Sequence, residues 1–150
     1  IITHYELAFA VVPILASFIP MISDTGGNCG SQSSTLVIRG LAVGEIEFRD
    51  LLKVIWKEIR IAVCISIVLA VVNGLRIMLM GQGDALMAFT IGLTMACTVV
   101  IAKVVGCTLP LIAKRVGLDP AIMATPLIST LVDISTISVY FAIVSAVFQL

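Results

Sequence analysis

Near the C-terminus a single carboxylate, Asp133, sits in the largely apolar run LISTLVDISTISVYFAIV. A charge inside a membrane-length helix is costly, so such a residue ordinarily faces a partner, a water-filled cavity or an ion path. Thr125, Ser129, Asp133, Thr136 and Tyr140 follow one another at spacings of 4, 4, 3 and 4. That spacing puts all five oxygen-bearing side chains on one face of a helix. Oxygen ligands grouped around one carboxylate suit a hard cation such as Mg2+.

A second polar block, SDTGGNCGSQSST at residues 23–35, follows an apolar run and precedes LVIR. Gly26, Gly30 and Ser34 form a small-xxx-small series that lets helix backbones approach closely. Asn28, Gln32 and Thr35 form a polar stripe beside it. The block therefore reads as helix packing, as the lining of a pore, or as both. A third reading has the glycines breaking the helix into two halves, with Pro13 and Pro20 inviting kinks.

Lys103 lies 11 residues before Lys114, and Asp133 lies 13 beyond Pro120. At the helical rise these are depths of about 16 and about 20 Å from the same side. The two could pair, or Lys103 could snorkel to the surface. A lysine on the path of a divalent cation would repel it, so Lys103 is expected off that path or neutralised. Gly81-Gln82-Gly83-Asp84 matches the G-x-G-D pattern of intramembrane aspartyl proteases. That chemistry needs a second carboxylate sharing a proton, no partner motif is evident, and a plain turn is the simpler reading. His4 is read as an exposed residue rather than a ligand. Cys29, Cys64, Cys97 and Cys107 form no close pair and read as small packing residues. No nucleotide fingerprint or nucleophile elbow is present.

The elements that must position these groups are membrane helices. The chain has 150 residues, of which 60% are hydrophobic and 12% charged, against about 25% charged in soluble domains. The net charge is zero, which gives no reason to expect a nucleic-acid partner. Residues 1–150 read as one transmembrane ion-conducting domain. Four segments are long enough to span: from about residue 7 into the block after residue 22, then about 59–80, 84–112 and 120–148. Arg39, Arg49, Lys53, Lys57 and Arg60 fall between the first two, and Lys114 and Arg115 between the last two. The positive-inside rule makes those connections cytoplasmic. Phe48, Leu51, Leu52, Ile55, Trp56 and Ile59 recur at helical spacing, with Arg49, Lys53, Lys57 and Arg60 on another face. This is either an amphipathic surface helix with Trp56 at headgroup depth or the first turns of a long second helix. Because the chain begins at Ile1, it reads as a fragment, with one further span expected upstream if a cytoplasmic domain precedes it.

Residues 24–42 (DTGGNCGSQSSTLVIRGLA), 109–121 (LPLIAKRVGLDPA) and 126–133 (PLISTLVD) resemble, in order, the signature of the MgtE-type magnesium transporters. The resemblance covers the chain almost end to end and is to the family's membrane domain only. It implies an all-α membrane protein whose four transmembrane helices are the last four of a five-helix domain. It also implies a homodimer in the cell membrane with the ion path near the dimer axis, and cytoplasmic sensor domains that this chain lacks. In the family the aspartate matching Asp133 is the central Mg2+ site, acting largely through the ion's waters. Ser129 and Thr125 are carried over as metal-site residues, although the family often has another small residue at Thr125. Asn28, Gln32 and Thr136 are expected to line the pore, and Gly26, Gly30 and Ser34 to pack helices. The expected function is conduction of Mg2+ into the cytoplasm without enzymatic chemistry. The alternatives are a secondary transporter using Asp133 as a proton or Na+ site, an intramembrane protease, and a purely structural membrane subunit.

Overall fold

A computed structural model describes residues 13–81, 83–123 and 125–148, and every regular element among them is helical. The start of the first segment at Leu7, and His4, lie outside the described residues. A 3-10 turn, Pro13–Phe18, leads into α1, Ile19–Ala42. A second turn, Phe48–Asp50, leads into α2, Leu51–Leu79. The third helix, α3, is Ala85–Arg115. A last 3-10 turn, Pro120–Met123, precedes α4, Thr125–Phe148.

Three stretches are long and apolar enough to cross a membrane: Phe48–Leu79, Ala85–Arg115 and Pro126–Phe148. The expected fourth span, α1, has the length at 24 residues, but the block at 23–35 dilutes its apolar content. The reading in which the glycines break this segment is corrected, because α1 runs through all of them to Ala42. Pro20 lies in its first turn, where a missing N–H costs nothing. A separate amphipathic connection before the second span is likewise absent. Phe48 and Arg49 lie in the 3-10 turn, the rest form the first turns of one continuous α2, and Trp56 projects outward.

Chain turns follow local chemistry. After α1, the amides of Glu45 and Ile46 both donate to the Gly40 carbonyl, at 2.9 and 3.2 Å. Gly44 supplies the positive φ of 75° that this reversal needs. At the start of α3 the Asp84 carboxylate accepts the Met87 amide at 2.9 Å. The aspartate of the G-x-G-D stretch is thus a helix N-cap. Arg115 stacks over the Phe48 ring at 4.3 Å, which ties the two basic connections together at one end of the bundle.

The hub is α3, which packs against α1, α2 and α4. From α2, one stripe is buried: Glu58, Ala62, Ser66, Asn73 and Ile77. Its opposite side exposes Val63, Ile67, Val68, Val71, Val72 and Leu75, an apolar surface suited to lipid. Near the end formed by the Pro13–Phe18 turn, the core comprises Leu15, Phe18, Ile22, Ile91, Met95, Tyr140, Phe141 and their neighbours. At mid-bundle the residues become small: Cys29, Ala62, Val99, Ala102, Ile128 and Val132.

Small residues bring the backbones together there. A side chain added at Gly106 would run into the Gly30 carbonyl. One at Gly30 would lie 3.1 Å from methyls of Ile128 and Val132 and 3.2 Å from the Ala102 carbonyl oxygen. Gly106→Ala is therefore expected to destabilise the protein by about 1–3 kcal/mol, the usual cost of overpacking. Gly74→Ala, at a helical site with nothing within 4 Å, should be neutral or stabilising by about 0.5–1 kcal/mol. Melting of the two variants in detergent checks this, and equal behaviour would rule out the close α1–α3 contact.

Candidate functional site

Helical periodicity divides α1 into two faces. Gly26, Gly30, Ser33 and Val37 are buried. Asp24, Asn28 and Thr35 are exposed, and Ser31 beside them is half-buried. Both sets recur at spacings of 4, 3 and 4 residues, so a dry and a wet face run along the same helix.

The wet face meets α4. Ser23, Asp24, Gly27, Asn28 and Ser31 line a cavity of about 200 Å3 together with Ser129 and Asp133. It adjoins a more open hollow of about 600 Å3 along Asn28, Ser31, Gln32, Thr35 and Leu36. The Asn28 amide donates to the Asp24 carboxylate at 3.1 Å. Asp133 is half-buried at the cavity wall, and no cation pairs with it among the described residues.

The five-oxygen face read from the α4 spacing is split by packing. Ser129 and Asp133 open on the cavity. Thr136 is fully buried, with its hydroxyl donating to the Asp133 carbonyl at 3.2 Å. Its methyl faces α1, where a side chain at Gly26 would come within 3.0 Å of it. Tyr140 is buried and donates to the Leu15 carbonyl at 2.8 Å. Thr125 begins α4, and its side chain lies outside the described residues. Asn28 and Gln32 both sit on the exposed face of α1. Gly26, Gly30 and Ser34 sit on its buried face.

A second polar assembly lies on the dry side. Lys103 on α3 reaches Glu58 on α2 at 3.1 Å and donates to the Ser33 hydroxyl on α1 at 3.0 Å. Ser33 in turn donates to the same Glu58 oxygen. The lysine and glutamate side chains are 4% and 5% exposed, so three helices share one desolvated ion pair. The suggested pairing of Lys103 with Asp133 is corrected: the lysine is held by Glu58. Sequence reasoning passed over Glu58. The signal was its place on the inward stripe Glu58–Ala62–Ser66, where a carboxylate demands a counter-charge.

Chemically, the cavity suits a hydrated hard cation. Among the described residues no group of three or more His, Cys, Asp or Glu could hold a bare metal ion. Mg2+ sheds water reluctantly and binds through one or two carboxylates with several waters kept. The groove supplies carboxylates, hydroxyls and a side-chain amide around a space large enough for water.

Comparison with known proteins identifies the family. A family model, MgtE, described as a divalent cation transporter, matches residues 19–143. The magnesium transporter MgtE of Bacillus subtilis is 36% identical over 146 residues, 97% of this chain and 32% of that protein. Its namesake in Thermus thermophilus is 32% identical over 95% of this chain and 31% of that protein. In Enterococcus faecalis the figures are 33%, 97% and 32%. The chain thus spans about a third of the length of these relatives.

Replacing either partner of the desolvated pair strands the other. Lys103→Met or Glu58→Leu alone is expected to cost about 3–5 kcal/mol. The double variant, which removes both charges, should recover most of that loss. A double-mutant cycle in melting measurements reads the coupling, and additive losses would refute the pair.

Proposed function

Since the chain belongs to the MgtE family of divalent cation transporters, and its helices make it a multi-pass membrane protein, we propose that it forms the ion-conducting part of a Mg2+ transporter. The family consists of transporters rather than enzymes. The observation that carries the reading is the polar cavity between α1 and α4 with Asp133 in its wall.

That cavity lies on the outside of the protomer. Within a bilayer, exposed polar surface needs protein or water against it. A second copy related by a two-fold axis would face the groove with its own groove and bring two Asp133 carboxylates towards one path. Two carboxylates leave space for an ion that keeps its water shell. Ser129, Asn28 and Gln32 would hold those waters.

The basic ends of the helices, where Arg115 stacks on Phe48, are taken as cytoplasmic by the positive-inside rule. A divalent ion moving towards them would gain about 4.6 kcal/mol per 100 mV of inside-negative potential. No chemical energy source is then needed for uptake into the cell.

Asp133→Ala should abolish Mg2+ uptake into vesicles reconstituted with the protein, while size-exclusion behaviour still reports a folded dimer. Uptake within about twofold of the parent, too small a change for loss of a binding carboxylate, would remove Asp133 from the path. Imposing a proton gradient should not change the rate. Proton-dependent flux would favour the alternative of a secondary transporter with Asp133 as its proton or Na+ site.

A further inference from the structure

We infer that Asp24, on α1, is a second cation-facing carboxylate of the Asp133 cavity and sets its affinity for a hydrated divalent ion. The inference rests on the transport reading above and adds to it a residue from a different helix.

Two observations carry it. First, Asp24 and Asp133 come from separate helices yet line one cavity of about 200 Å3. They sit at one level of the bundle, since a side chain at Gly27, between Asp24 and Asn28, would come within 3.6 Å of the Ser129 hydroxyl. Second, neither carboxylate is paired with a cation among the described residues. Asp24 has only the neutral Asn28 amide, which orients it without cancelling its charge. Lys103, the one buried lysine among the described residues, is already held by Glu58 on the dry side.

Two like charges facing one small space repel each other unless something positive lies between them. A divalent ion with its waters answers both features. Its charge offsets both carboxylates, and its waters can donate to their oxygens. A monovalent ion offsets only half the charge, so Asp24 also favours divalent over monovalent cations.

The test compares Asp24→Asn and Asp24→Glu in the purified protein, with melting confirming that each folds. Two readouts are used: half-saturation of Mg2+ uptake in vesicles, and Mn2+ binding in detergent followed by its paramagnetic signal. Asp24→Asn should weaken both by about tenfold, as expected for loss of one partly screened charge contact. Maximal uptake should largely persist, and Asp24→Glu should restore most of the affinity. Both readouts within about twofold of the parent, or a parent that binds no Mn2+, overturn the inference. If the parent binds Mn2+ in an Asp24-dependent way but moves no Mg2+, the second carboxylate stands and the transport reading fails.

Discussion

The close approach of α1 to α3 at Gly30 and Gly106 determines where the other groups of this bundle can sit. With no side chain at either position, the two backbones meet. The next turn of α1 then carries Ser33 to Lys103. Contacts this tight hold a helix by van der Waals packing, which matters in a bilayer, where burying apolar side chains gains little. Larger residues there would push α1 away from the hub, and the groove it shares with α4 would lose its wall.

Around that contact the molecule separates its charges. On the dry side, Lys103 and Glu58 neutralise each other, with Ser33 bonded to both. Such pairs seldom add net stability, because desolvation offsets their attraction. What this one supplies is a defined rotation for three helices, since each must present one particular atom. On the wet side, Asp24 and Asp133 line the groove with no cation paired to them among the described residues. A lysine held by its own carboxylate does not oppose a cation on the far side of α1. The same sequence thus carries a fixed positive charge through its middle and still offers a negative groove.

The peripheral helix shows a related division. α2 commits a narrow stripe to α3 and leaves a broad apolar surface outward. Its unbroken run from Leu51 keeps Glu58 deep while Trp56 and Leu52 stay exposed. A break between a surface helix and the span would have moved Glu58 out of reach of Lys103.

Much of this was legible in the residues themselves. Apolar runs of spanning length, the glycine–serine series and the isolated Asp133 are local features. They reflect the bilayer's demand for satisfied backbones and its penalty on charge. The continuity of α1 through its glycines was not legible, because their helical cost is offset by contacts with other helices. Which carboxylate would hold Lys103 was equally open: depth along a helix can be counted, but rotation between helices cannot. Periodicity placed Thr136 and Tyr140 with Asp133 on one face of α4. Packing decided which part of that face opens, because α1 covers the far half with Gly26 and leaves Ser129 and Asp133 beside its polar stripe. Composition and spacing are properties of one helix and so belong to the sequence. The groove and the buried pair each require several helices at a set distance and rotation, and only the packed tertiary structure supplies those.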